Sequence, residues 1–201
     1  MSLRSWKPGL VALSLLAAAA PARATTLQQL DLKQLVSRAD KVFRGRVVAI
    51  DTATVRAGGG ELPAVVYTLR VEEPFKGAFH AKEGGEALVE LRVVGVKSDR
   101  SGPAGLRRFS AIPTTPELLL DREYVLFTTQ PGAVGLSTTV GLGQGAFLVD
   151  DAAKEEPTVN AFGNLGLTRG LPQLDLPAVG PVPYATLARA IRDVLVTEVT
   201  P

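Results

Sequence analysis

In residues 64–75 (AVVYTLRVEEPF), Val65, Tyr67, Leu69 and Val71 fall on one side of an extended backbone, with Thr68, Arg70 and Glu72 on the other. A period of two with one apolar face predicts a half-buried strand, and it commits that face to a core. Residues 86–94 repeat the pattern, with Ala87, Val89, Leu91 and Val93 inward and Glu90 and Arg92 outward. In residues 41–50 (KVFRGRVVAI), Phe43, Val47 and Ala49 share a face opposite Arg44 and Arg46, and Gly45 predicts a bulge or bend. Residues 124–128 (YVLFT), 136–141 and 146–149 complete six short strands. Glycine and proline punctuate them at 58–60, Lys76-Gly77, 83–85 and Pro131-Gly132, and Pro74 places an edge or corner at the end of its strand. The glycine-dense segment 141–145 enters a strand and not a helix, so it lacks the helix N-terminus of a phosphate cradle and is predicted to be a hairpin. Six strands that each need to bury one face predict a mainly β fold, an antiparallel barrel that is closed or nearly so.

Helices are expected at both ends. Asp31 can cap the N–H groups of Leu32, Lys33 and Gln34, and Leu32, Leu35, Val36 and Ala39 recur at helical spacing. Residues 95–116 form a long polar loop. Residues 151–183 are proline-rich and weakly periodic, which predicts an extended arm with one added strand near 159–162. In the closing segment 184–201, Tyr184, Leu187, Ala188, Ile191, Val194 and Leu195 form one stripe. That is an amphipathic helix to be docked on the barrel, with Pro183 near its first turn.

Residues 1–24 read as an export signal: Arg4 and Lys7 precede an apolar run at 10–20, and Ala22 and Ala24 are the small residues a signal peptidase reads. The expected division is therefore signal 1–24, barrel 25–150, arm 151–183 and helix 184–201, in a periplasmic or secreted protein. Removing the signal takes Arg4, Lys7 and Arg23, so 19 basic side chains face 20 acidic ones. That balance argues against a nucleic-acid partner, which needs a basic field. No membrane insertion is expected after signal removal. The chain has no cysteine, which rules out disulfides, thiol nucleophiles and cysteine–metal sites.

Few residues suggest chemistry. His80 is the sole histidine and lies in a loop; Ser98, Ser101, Ser110 and Ser137 lack a nucleophile-elbow context. Glu72 and Glu73 face opposite sides of a strand and cannot easily share a metal. Asp150-Asp151 and Glu155-Glu156 form an acidic cluster, conceivable as a weak calcium site but without EF-hand spacing. Arg44, Arg46, Arg70 and Arg92 could line one barrel face. The strand aromatics Phe43 and Tyr67 fall on the apolar side, so pairing with Glu72 and Glu90 is expected before base stacking. No catalytic residue, metal or cofactor is assigned.

Three stretches in order resemble a known family. Residues 37–48 (SRADKVFRGRVV) resemble the first strand of netrin-like domains, whose best-known members are the tissue inhibitors of metalloproteinases. Residues 67–77 (YTLRVEEPFKG) are similar to the second strand and its Lys-Gly turn, and residues 123–127 (EYVLF) to the fourth. Secreted bacterial proteins carry the same order of signals, and the resemblance covers residues 25–149. It implies a five- to six-stranded Greek-key barrel of the oligonucleotide/oligosaccharide-binding (OB) type, flanked by helices. In the inhibitors the mature N-terminal cysteine chelates the protease zinc through its α-amino and carbonyl groups, and the next residue fills the specificity pocket. Thr25 and Thr26 stand at that place here, with an amine and a carbonyl but no thiol. The expected function is a secreted, non-enzymatic, protein-binding module, in its sharpest form an inhibitor or escort of a co-secreted metalloprotease. A carbohydrate- or cell-envelope-binding module and a carboxylate-based hydrolase are the alternatives.

Overall fold

The computed structural model describes residues 28–81, 85–96, 116–171 and 177–199. The export signal, Thr25 and Thr26, the turn residues Glu83 and Gly84, and residues 97–115 of the long loop with Ser98, Ser101 and Ser110 lie outside them.

The chain opens with α1 (Leu32–Arg38). Its start is a reciprocal capping box: the Gln34 N–H donates to Asp31 Oδ1 at 2.8 Å, and the Asp31 N–H donates to Gln34 Oε1 at 3.1 Å. Seven strands follow: β1 (Lys41–Ala57), β2 (Gly60–Lys76), β3 (Leu88–Val94), β4 (Glu123–Thr128), β5 (Ala146–Val149), β6 (Pro157–Asn160) and β7 (Val182–Pro183). The chain closes with α2 (Tyr184–Val199). All strands join one antiparallel sheet in the order β3-β2-β1-β4-β5-β6-β7. The fold is mainly β with a helix near each end of the described chain, as expected.

The closed barrel is not formed. The sheet is open, with β3 at one edge and β7 at the other. β1 and β2 run past the predicted strand limits and meet at the two-residue turn Gly58-Gly59. Both turn residues have positive φ, +61° and +79°, the geometry that matches hairpin twist and that glycine adopts freely. The open sheet goes with residues 136–141, expected as a strand and not formed as one. They make an isolated bridge, Thr128 to Thr139, and one N–H bond from Ser137 to the Arg92 carbonyl at 2.9 Å. The Thr129 hydroxyl accepts from the Thr138 N–H, and the Thr139 hydroxyl donates to the Leu142 carbonyl. These local side-chain bonds favour turns over a continuous ladder.

Gly45 does sit at a register shift, between Arg44 and Gly45. A Cβ there would lie 2.7 Å from the Arg70 carbonyl oxygen, so the close strand approach needs glycine. Further shifts at Val42/Phe43 and Val47/Ala49 bend β1.

The bent sheet buries both faces of its centre. On one face Val42, Val125, Phe127, Phe147 and Val149 pack with Leu32, Leu35, Leu187 and Ile191 of the helices. On the other, Phe43, Val47, Leu69, Leu91, Leu118 and Leu126 make a second core. Every residue of β4 is buried, which explains why YVLFT carries no alternation. Each fully buried leucine or isoleucine contributes about 1.5–3 kcal/mol.

The segment after β5 is not an extended arm. β6 pairs with β5, two residues earlier than expected. Successive turns then run from 161 to 170, with N–H groups of Gly163, Leu165, Leu167, Arg169 and Leu171 donating to carbonyls three residues back. Asn164 sits fully buried among them at φ 60°. Its side chain accepts from the Asn160 N–H and donates to the Thr158 and Gly180 carbonyls. The predicted hairpin at 141–145 is a 3-10 turn over Leu142–Gly145, where a Cβ on Gly145 would lie 2.5 Å from the Val140 carbonyl oxygen. The stripe of α2 is buried as anticipated through Tyr184, Leu187, Ala188, Ile191 and Val194, with Leu195 packed at its margin.

Candidate functional site

Two polar assemblies stand out, and each joins segments that are far apart in sequence. The first grows from the outer side of β1. Arg44 and Arg46 alternate with buried Phe43 and Val47, so both guanidinium groups point away from the second core. Arg44 donates through Nε to Glu123 at 2.6 Å and through Nη1 and Nη2 to both oxygens of Glu156, at 3.0 and 2.6 Å. Arg46 bonds Glu123 and reaches Asp151 at 2.7 Å. Glu123, only 6% exposed, is thus shared by both arginines. Below Arg44 lies the ring of Tyr184, whose hydroxyl donates to Glu73; Arg192 pairs with the same carboxylate.

Charge states follow from this geometry. Burial works against the Arg44 cation, but hydrogen bonds and charge from Glu156 and Glu123 outweigh it and hold the guanidinium above its ordinary value. The bond from Arg46 depresses the Asp151 carboxyl, and the bond from Arg44 depresses that of Glu156. Burial, reinforced by Glu73, raises the Tyr184 phenol.

The four arginines singled out in the sequence are therefore drawn into ion pairs. Arg70 pairs with Glu72 and Glu86, and Arg92 with Glu90, at exposed positions. Phe43 and Tyr67 are buried on the opposite side, as expected, so this face carries no strand aromatic from that pair. Glu72 and Glu73 do face apart, toward Arg70 and toward Tyr184. In the acidic cluster, Asp151 and Glu156 turn to arginine, and the Glu155 carbonyl accepts the Tyr184 N–H. Among the described residues no group of three His, Cys, Asp or Glu side chains is placed to hold a metal. His80 is exposed in the loop after β2.

The second assembly was not anticipated. Gln144, 3% exposed, stands in the 3-10 turn. The Leu30 N–H donates to its Oε1 at 2.7 Å, and its Nε2 donates to the Gln28 carbonyl at 2.9 Å. Leu30 is buried, the Leu32 N–H donates to the Leu167 carbonyl at 2.9 Å, and Arg169 reaches the Gln29 side chain at 2.9 Å. The segment that enters α1 is fixed by an amide clamp, in a chain that has no disulfide to do so. A glutamine between glycines gave no signal of this in sequence, because its partner is 114 residues away.

Comparison of the chain with family models and with curated proteins finds no match.

Proposed function

We propose that this chain is a secreted, non-enzymatic binding module whose partner is another protein, met through Thr25 and Thr26. The observation that carries the reading is the clamped segment. Residues 28–30 are bonded on both main-chain flanks to Gln144, so the next residues toward the N-terminus leave from a fixed point. A partner-binding end that starts from an ordered base loses less entropy on binding than one on a loose tail. The paired state of the arginines and carboxylates supports the same reading, since those groups are engaged within the chain.

Within this proposal the domain is netrin-like. What supports it is the strand order β3-β2-β1-β4, in which three sequential strands are followed by a fourth that pairs beside the first, as a Greek key requires. The partner class that the resemblance favours is a co-secreted metalloprotease, inhibited or escorted by the free amine and carbonyl of Thr25.

The test is inhibition of a co-exported zinc protease by the chain beginning at Thr25, against one carrying a single extra residue before it. Loss of inhibition on extension supports chelation through the N-terminus. Equal inhibition by both rejects it.

A further inference from the structure

We propose that Gln144 is a positioning residue: its amide recognises residues 28–30 as an extended peptide and fixes the point, Gln28, from which the chain toward the N-terminus starts. This rests on the reading of Thr25 and Thr26 as the partner-binding end.

The Gln28 carbonyl and the Leu30 N–H flank Gln29, and in an extended segment these two groups point to the same side. A side-chain amide carries an acceptor oxygen beside a donor nitrogen, so Gln144 bonds the carbonyl and the N–H on one side of the main chain, as a neighbouring strand would. Register is set separately. The Leu30 side chain lies against Gly141, where an added Cβ would come within 2.7 Å of Leu30 Cδ1. A slip of one residue would bring Gln29 or Asp31 to that apolar site, and a buried polar group without a partner is costly.

The reader itself is held from behind. Asn160 Nδ2 donates to the Gln144 carbonyl at 3.1 Å, Asn164 Oδ1 accepts from the Asn160 N–H, and the Asn164 N–H donates to Asn160 Oδ1, both at 2.9 Å. The side chain of Gln144 also donates to the Gly141 carbonyl at 3.3 Å. Three amide side chains therefore form a relay from the turns after β6 to the entry of α1. Its last member faces the chain that leads to Thr25 and Thr26.

The absence of cysteine makes the test direct, because two introduced cysteines give unique sites for spin labels. Labels at exposed Gln28→Cys and Arg189→Cys, on the full exported chain, report the distance from the departing segment to α2. The expected result is a narrow distribution with Gln144 present and one broadened about twofold with Gln144→Leu, the global fold being retained by circular dichroism. Gln144→Glu keeps the acceptor for Leu30 and loses the donor for Gln28, so it broadens less. Leu187→Val weakens the core without touching the clamp and leaves the distribution narrow.

An unchanged distribution in folded Gln144→Leu overturns the proposal. If that variant does not fold, Gln144→Glu decides: broadening supports positioning and no change overturns it. The measurement involves no partner, so failure of protease inhibition would strike the functional reading and leave this result standing.

Discussion

The guanidinium carbon of Arg44 lies 4.2 Å from the ring centroid of Tyr184, so a β1 side chain rests on the first residue of α2. The same arginine holds Glu123 of β4 and Glu156 before β6. One side chain thus ties together four parts of the chain.

Replacing Arg44 with alanine leaves Glu123 buried beside a single arginine and frees Glu156. The expected cost is about 2–4 kcal/mol, somewhat below the range of about 3–5 kcal/mol for breaking a fully buried pair because Glu156 is partly exposed. Arg44→Lys should recover only part of it, since an ammonium cannot match the bidentate contact or the ring stacking. Urea unfolding midpoints of the three proteins measure both effects.

Acid should destabilise the fold through Asp151 and Glu156. Their carboxyls are depressed in the folded chain, so the unfolded chain takes up protons first as pH falls. The stabilisation is complete above the ordinary carboxyl values of 3.8 and 4.5 and is lost as pH falls through the lower folded values. Stability measured by urea titration should be flat near neutrality on this account and decline below about pH 4.5. A variant with both Arg44→Met and Arg46→Met should show a shallower decline.

Tyr184 sets the alkaline side. Its phenol is raised in the folded chain, so its contribution is whole below the ordinary value of 10.0 and disappears as pH rises through the folded value. Ultraviolet titration should show this tyrosine ionising above its ordinary value, and Glu73→Gln should bring its transition to lower pH.

Two glycine replacements should separate contact from conformation. Gly45→Ala drives a Cβ against the Arg70 carbonyl and should cost about 1–3 kcal/mol, the range for overpacking. Gly58→Ala meets nothing within 4 Å but must hold φ at +61°, which costs about 1–2 kcal/mol. Thermal unfolding distinguishes them, because Gly58→Asn should be tolerated where Gly45→Asn is not.

What the sequence made legible was whatever repeats locally. The alternation through Tyr67 and Leu69, the capping by Asp31 and the stripe from Tyr184 to Val194 all emerge as expected. The open edge was hidden because closure depends on how residues 136–141 share bonds with β4, not on their apolar pattern. The segment around Asn160 and Asn164 looked like an arm because its order comes from buried amides, which have no period. The clamp on residues 28–30 was hidden for a related reason: one glutamine fixes a distant main chain, and hydropathy carries no trace of that. The arginines were recognised, and their pairing with acid side chains was anticipated, but Glu123, Glu156 and Asp151 as the partners of Arg44 and Arg46 were not.

The bonds joining Leu30 to Gln144 and Arg44 to Glu156 span 114 and 112 residues, and that from Tyr184 to Glu73 spans 111. The earlier residue of each pair must therefore wait for the later one. Such long-range closure makes assembly slow and leaves the early strands unsheltered in the interval, so this is a chain that settles as a whole and late.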